Sequence, residues 1–233
     1  MAKTSISDRT SPDSINGDGR VNPAAELLGG WLFRHRTSLP LPIAIAILGL
    51  PGSDTPNALL LITVGLLVTS AGEAVRLWAV HHIGVISRTR SDRLGPLVAS
   101  GPFAFVRNPL YLGNIALWAG FALTARLAWL APVILVLLGA EYQAIVRWEE
   151  RLLERRLGDA YHAYAARVPR WIPNLHHGGH GGHGGKNLQD PTSASPVSSV
   201  VESLSWRETL FSERGTLVAI ACGYLLLWLK ARF

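Results

Sequence analysis

Two apolar segments in the middle of the chain, residues 111–123 and 127–144, are separated by only three residues, Thr124, Ala125 and Arg126. A connection this short forces consecutive helices to pack antiparallel, so the chain returns to the side from which it left. The residues before the first segment and those after the second must therefore come close together. This hairpin constrains the fold more than any other feature of the sequence.

Three further apolar segments, residues 39–50, 58–79 and 215–229, accompany the hairpin. Hydrophobic residues make up 48% of the chain, charged residues only 16%, and the mean hydropathy is +0.24. This composition argues against an ordinary soluble domain and predicts an all-α, polytopic membrane helix bundle. Segments 39–50 and 215–229 are short for a hydrocarbon core of about 30 Å, so they must tilt, borrow flanking residues or thin the bilayer.

Basic residues are distributed unevenly between the two sides of this bundle. Arg126 is the only arginine in the loops on one side, and Arg34 and Arg36 precede the first segment. The opposite side carries Arg88, Arg90, Arg93, Arg107, Arg147, Arg151, Arg155, Arg156, Arg167 and Arg170. By the positive-inside rule, we expect this arginine-rich side to face the cytoplasm of an inner-membrane protein. Lys230 and Arg232 conflict with this orientation if the last segment spans the membrane.

The net charge of +6 indicates lipid headgroups as partners and no nucleic acid, because the basic residues do not follow one polar face. We predict a disordered tail at 1–22, a membrane domain at 23–174, a flexible linker at 175–199 and a C-terminal membrane-associated helix at 200–233. The sequence does not predict the oligomeric state.

No metal site is predicted. Residues 14–22 are similar to a calcium loop, but Ala25 replaces the bidentate glutamate and a solvated turn is favoured. Cys222 is the only cysteine, so no intrachain disulfide can form. Four histidines in the linker are consistent with weak metal binding, although a solvated linker is favoured: His176, His177, His180 and His183.

Polar residues flank the open end of the hairpin. Arg107 and Asn108 precede Pro109, which suits the first turn of a helix, and Glu149 and Glu150 follow the second segment. The free N–H groups of that turn, with Arg107, predict a place for a carboxylate, whereas the glutamates suit ribose hydroxyls or an ammonium group. Alternatively, Arg107 contacts lipid headgroups, and the glutamates only face the water around the end of the helix without binding a ligand.

A second charged pair lies within segment 58–79. Glu73 and Arg76 are three residues apart, a spacing that places both side chains on one helix face. Two interpretations stay open, an ion pair at the membrane interface and a direct role at a functional site.

Two runs around the hairpin, LVASGPFAFVRNPLYLGN at residues 97–114 and EERLLERRLGDAYHAYAARVPRWIP at residues 149–173, resemble the C-terminal catalytic region of the isoprenylcysteine carboxyl methyltransferase family. The related phospholipid N-methyltransferases share this plan. The resemblance implies a catalytic core at about residues 76–173. It also implies methyl transfer from S-adenosylmethionine (SAM) to a lipophilic acceptor in the membrane.

The resemblance also implies a set of site residues. Tyr161, Tyr164 and Pro169 belong to the second run, and the tyrosines either close over the adenine or anchor the chain at the interface. Arg107 and Glu150 support the other cofactor-binding residues. The complete cofactor-binding set is Leu97, Val98, Phe103, Arg107, Asn108, Pro109, Leu110, Tyr111, Glu149 and Glu150.

This sequence departs from the family pattern at two positions. Asn108 stands where the family has histidine, so a positioning role is expected there and a proton-transfer role is not. Ile145 stands where the eukaryotic prenylcysteine enzymes have an arginine for the substrate carboxylate, and Arg147 is the nearby substitute. We therefore predict Arg147 and Glu149 as catalytic.

An amine acceptor needs a base, for which Glu73, Glu141 and Glu149 are the candidates.

Three alternative functions stay open. The first is a phospholipid or amine N-methyltransferase. The second is an NADPH-dependent enzyme similar to the sterol reductases, and the third is a membrane scaffold without catalytic activity. The two adjacent glutamates, Glu149 and Glu150, argue against NADPH, because its phosphates favour arginine or lysine.

Overall fold

The computed structural model describes residues 23–83, 97–173 and 205–232. Across these ranges the chain is helical and contains no strand, which confirms the all-α fold class. A short 3-10 helix, Gly101–Ala104, precedes α4. The α-helices are α1 (Pro23–His35), α2 (Leu41–Gly49), α3 (Ala58–Ile83), α4 (Pro109–Thr124), α5 (Leu130–Leu157), α6 (Asp159–Arg167) and α7 (Trp206–Lys230). The predicted tail and linker lie outside the described residues.

Three of the described helices, α3, α5 and α7, are long and apolar enough to cross a membrane. The nine residues of α2 reach only about 14 Å, which agrees with the short first segment. The last helix begins at Trp206 rather than at residue 215, since Ser205 and Glu208 form a capping box. This added length makes a full crossing by α7 possible without thinning of the bilayer.

The antiparallel hairpin of α4 and α5 is present, with a longer connection than the sequence predicts. Arg126 adopts a positive φ of 60°, and the N–H groups of Arg126 and Leu127 bond to the carbonyls of Leu123 and Ala122. These bonds extend the turn over residues 125–129, so the return helix begins at Leu130 and not at residue 127.

Helices α3 and α4 pack closely because glycines lie at their contact. A Cβ atom added to Gly72 would lie 2.8 Å from the carbonyl oxygen of Gly113, and one added to Gly120 would clash with the Thr69 hydroxyl. Small residues of this kind let helix backbones approach closely within a membrane. The contact fixes the start of α4, from which the polar residues of the hairpin project.

The ends of the chain pack against this hairpin. Helix α1, which the apolar segments do not predict, lies on α5 through Phe33 and Trp148, whose ring centroids are 5.0 Å apart. At the other end, the Lys230 ammonium donates to the carbonyl of Ile47 at 2.6 Å and to that of Leu50. Lys230 therefore caps the last turn of α2, which accounts for a basic residue on the side with few arginines.

Candidate active site

The open end of the hairpin brings Tyr111 of α4 against Glu149 of α5. The Tyr111 hydroxyl lies 3.0 and 3.1 Å from the two carboxylate oxygens of Glu149 and donates its hydrogen bond there. The Tyr111 ring stacks on Tyr142, with ring centroids 4.6 Å apart. The close approach predicted from the short connection is therefore present, and it joins the run at residues 97–114 to the start of the run at residues 149–173.

The residues before α4 are held by the segment after α6. The main-chain N–H of Arg107 donates to the Pro169 carbonyl at 2.9 Å. The Asn108 side-chain amide donates to the Arg170 carbonyl at 3.1 Å. Asn108 therefore ties the start of α4 to the segment after α6, and its expected role in positioning a cofactor stays a prediction.

Glu150 is the centre of a buried ion cluster. Its side chain contacts the Arg107 guanidinium at 2.9 Å and that of Arg170 at 2.5 Å. The hydrogen bond to Glu150 raises the pKa of Arg170, so this arginine stays charged. The cluster ties α5 to both sides of the predicted site and supports it rather than offering Glu150 as a free acceptor.

This pairing limits the anion site expected at Arg107. One terminal nitrogen is bound to Glu150, and it also lies 3.5 Å from the Tyr161 hydroxyl. The Nε atom is buried and has no hydrogen-bond partner in the described part of the chain. A buried donor without a partner costs free energy, so Arg107 carries one unsatisfied N–H group at the wall of the predicted site.

The tyrosines of α6 complete this wall. The Tyr164 hydroxyl donates to the Phe103 carbonyl at 2.8 Å. Burial raises the pKa of Tyr161 to about 12 and raises that of Tyr164 as well. Both tyrosines are therefore neutral hydrogen-bonding groups at physiological pH, and both face the cavity described next.

A cavity of about 1090 Å³ lies among these groups. Every residue predicted to bind a cofactor lines this cavity. These residues come from the segment before α4, from the start of α4 and from the second half of α5. These lining residues are Leu97, Val98, Phe103, Arg107, Asn108, Pro109, Leu110, Tyr111, Glu149 and Glu150.

Arg147, predicted as catalytic, is exposed and does not line the cavity. It lies two residues before Glu149, which places it about 200° away around the helix. Ile145, at the position of the family arginine, is fully buried in the core. The expectation that Arg147 replaces this arginine therefore finds no support in its placement.

The sequence did not predict the opposite wall of the cavity. Arg36 from the α1–α2 connection and residues of α2 and α7 contribute to it. The available signal was the spacing of small residues in α7, where Gly215, Ala219 and Gly223 recur every four residues and share one helix face. Nothing in the sequence indicated that Arg36 would reach this space.

The predicted pair of Glu73 and Arg76 forms and is part of a larger cluster. Arg76 donates to Glu73 at 3.2 Å and to Glu213 of α7 at 2.7 Å. It also donates to Thr216 at 3.2 Å and to the Asn114 side chain. The cluster is buried between α3, α4 and α7, and Arg76 lines the cavity. Charged groups buried among membrane helices are typical of functional sites.

The structure gives no candidate metal centre in the parts of the chain that it describes. There, no group of three or more His, Cys, Asp or Glu side chains is arranged to hold an ion. The linker histidines and the calcium-like string at residues 14–22 lie outside those ranges.

Helices able to span a membrane, together with a cavity at the open end of a hairpin, define an integral membrane protein with an internal site. The phospholipid methyltransferase family model matches residues 60–160. The cobalt-zinc-cadmium resistance protein CzcN of Cupriavidus metallidurans is 31% identical over 169 residues, which are 69% of this chain and 73% of that protein. The chain therefore belongs with CzcN to a membrane methyltransferase-like family that carries the phospholipid methyltransferase domain.

A second relative is the nickel-cobalt-cadmium resistance protein NccN of Alcaligenes xylosoxydans xylosoxydans. It is 28% identical over 154 residues, which are 64% of this chain and 69% of that protein. No solved structure matches the chain significantly. The narrower relationship to the isoprenylcysteine carboxyl methyltransferases stays a prediction.

Proposed function

We propose that the chain is a SAM-dependent methyltransferase that acts on a lipophilic acceptor in the membrane. The observation that carries this proposal is the contact of Tyr111 with Glu149 at the wall of the cavity of about 1090 Å³. Single small-molecule sites occupy about 300–1,000 Å³, so this cavity has room for a cofactor and part of an acceptor. The phospholipid methyltransferase match supports the reaction type.

The side chains on this wall fit SAM. The N–H groups of the first turn of α4 and the partnerless Nε of Arg107 suit a carboxylate. Glu149 suits an ammonium group or ribose hydroxyls, and Leu97, Val98 and Phe103 offer apolar contacts to a purine. When bound, SAM supplies a methyl group activated by its sulfonium.

The protein must then align SAM with the methyl acceptor and exclude water from the site. Tyr111 fixes the Glu149 carboxylate, and the Glu150 cluster fixes the backbone on both sides of it. An anionic acceptor needs no base. An amine acceptor must lose a proton, and Glu149 is the candidate for this step because it lines the cavity, unlike Glu73 and Glu141.

A phospholipid is favoured over a prenylcysteine as the acceptor class. The matched family model is that of the phospholipid methyltransferases, and the arginine expected to meet a prenylcysteine carboxylate is replaced by the buried Ile145. The protein-S-isoprenylcysteine O-methyltransferase reaction is therefore the second candidate.

We place the protein in the inner membrane with its site facing the cytoplasm. Glu149 and Glu150, which line the cavity, lie at the end of the hairpin where α5 continues into Arg151, Arg155 and Arg156, and the positive-inside rule assigns such a side to the cytoplasm. A cysteine introduced at Arg155 should react with a membrane-impermeant maleimide only in inverted vesicles. Labelling in right-side-out vesicles contradicts the orientation.

Both relatives are named as resistance proteins for cobalt, cadmium and other metals. We extend this role to the chain as a contribution to metal tolerance that depends on membrane methylation. A deletion strain complemented with Glu149→Gln should then be as metal-sensitive as the uncomplemented strain. Full tolerance of that strain contradicts the link between methylation and resistance.

The direct test is calorimetric titration of SAM into the detergent-purified protein. The unmodified chain should bind, and Glu149→Gln should weaken binding about tenfold to a hundredfold because charge-assisted hydrogen bonds are lost. Tyr111→Phe should produce a smaller loss. Glu154→Gln, on the same helix but exposed, is the matched control and should bind normally. Failure of the folded, unmodified protein to bind SAM overturns the proposed function.

A further inference from the structure

Three arginines of the described chain line the cavity, and they differ in their charge partners. Arg107 is paired with Glu150, and Arg76 with Glu73 and Glu213. Arg36 takes part in no ion pair among the described residues. A cation in a mostly apolar cavity without an acid against it is costly, and this cost falls when an anion binds.

Contacts with its own segment hold Arg36 in place. Its guanidinium lies 3.9 Å from the centroid of the Phe33 ring, and it donates to the Phe33 carbonyl at 3.2 Å. Phe33 is itself 6% exposed and packs against Trp148 of α5. The position of Arg36 is therefore fixed by the core, and the guanidinium retains donors for a ligand.

Arg36 also lies close to the centre of the site. It interacts electrostatically with both Tyr111 and Glu149, although no ion pair joins it to the glutamate. All three residues line the same cavity. A group bound by Arg36 is thus placed in the same cavity as Tyr111 and Glu149, where the proposed methyl transfer occurs.

The lining next to Arg36 is apolar and belongs to helices that face lipid. Ala44, Ile47 and Leu48 of α2 contribute to it, together with Ala219 and Gly223 of α7. Neighbouring residues of the same two helices that do not line the cavity, such as Ile45 and Leu225, are exposed. The wall therefore offers a cation at one end and an apolar surface, open to lipid, beyond it.

We propose that Arg36 binds the acidic head of an amphiphilic acceptor, a carboxylate or a phosphate, while the hydrocarbon chain of that acceptor lies against α2 and α7. Guanidinium groups bind such oxyanions through paired hydrogen bonds. This assignment rests on the proposed function, because it places the acceptor opposite the cofactor. It gives the reaction a specificity-determining residue outside residues 60–160, the range of the family match.

The test compares two probes of equal chain length, radiolabelled oleate and oleyl alcohol, for binding to the full chain in neutral detergent. Arg36→Ala should weaken oleate binding about tenfold to a hundredfold and leave oleyl alcohol binding unchanged. Arg36→Lys should recover part of the loss, because lysine keeps the charge without the planar fork. Arg34→Ala, two residues away and exposed, is the matched control and should change neither.

A parallel SAM titration distinguishes the acceptor from the other possible source of an anion, the cofactor carboxylate. The proposal requires that Arg36→Ala leave SAM affinity unchanged. A tenfold loss of SAM affinity with unchanged oleate affinity assigns Arg36 to the cofactor and overturns the proposal. Equal losses for oleate and oleyl alcohol also overturn it. If the unmodified chain binds oleate through Arg36 but binds no SAM, the proposed function fails and the anion site stands.

Discussion

The two walls of the cavity are built differently. The cofactor side, defined by residues 103–111, 149–150 and 161–171, is tied together by hydrogen bonds and ion pairs between segments adjacent to the hairpin. The acceptor side, defined by Arg36, α2 and α7, is assembled from the two ends of the chain, and much of it is apolar. Under the two proposals above, we expect the hydrogen-bonded wall to hold the cofactor and the more apolar wall to select the acceptor.

The largest effect should come from breaking the ion cluster of the cofactor side. Glu150→Ala leaves Arg107 without its acid in a largely buried position, and we expect a loss of about 3 kcal/mol in the free energy of unfolding together with loss of SAM binding. Thermal unfolding in detergent measures the first effect and calorimetry the second. Glu154→Ala, exposed on the same helix, should change stability by less than about 0.5 kcal/mol. Normal SAM binding by a fully stable Glu150→Ala variant contradicts the supporting role of the cluster.

The contact of α3 with α4, which positions the cofactor side, gives the next largest effect. Gly72→Ala places a Cβ atom 2.8 Å from the Gly113 carbonyl oxygen, so the helices must separate, at a cost of about 1–3 kcal/mol. SAM affinity should fall together with the unfolding temperature. Gly139→Ala is the control, because an added Cβ there meets nothing within 4 Å. If both variants behave alike, the close approach is not what holds α4 in place.

A substitution on the acceptor side should separate the two walls kinetically. Glu213→Gln removes one of the two carboxylates bound to Arg76 and weakens the attachment of α7 to α3. We expect KM for the lipid acceptor to rise about tenfold, with the Kd of SAM unchanged. Arg207→Gln, exposed near the start of α7, should have no effect. An equal change in both constants means that the walls are not independent.

The smallest effect is expected at the start of α7. Ser205→Ala removes the capping hydrogen bond to the Glu208 N–H group, which costs about 1 kcal/mol of local helix stability. Hydrogen exchange of the first turn of α7 should accelerate while exchange in α3 and α4 stays unchanged. Accelerated exchange throughout the bundle contradicts the view that α7 is a locally attached wall.

The sequence predicts the cofactor side because its residues are close to the hairpin. The short connection near Arg126 brings the two ends of the hairpin together, and the resemblance of two runs assigns the residues there. The acceptor side is different, because Arg36 and Glu213 are far from the hairpin along the chain. Their positions depend on how α1 packs on α5 and α7 on α3, and no local spacing rule specifies such tertiary packing.

The placement of Arg147 shows the limit of assigning a role from nearness along the chain. The helical turn between Arg147 and Glu149 directs the two side chains to opposite faces, although only Trp148 separates them in sequence. The same periodicity places Gly215, Ala219 and Gly223 of α7 on one face, and all three line the cavity, although the predictions from the sequence did not use this signal. Periodicity therefore shows which residues of one helix share a face. It does not show which other helix packs against that face.

The attachment of Lys230 to the end of α2 affects how charge counting should be applied during membrane insertion. An ammonium group committed to the carbonyls of Ile47 and Leu50 is shielded from headgroup phosphates once folding is complete. Before folding the same charge is free, so Lys230 still counts, on the side with few arginines, in the charge balance that orients α7. Replacing it with methionine should keep the insertion orientation of α7 while loosening the last turn of α2.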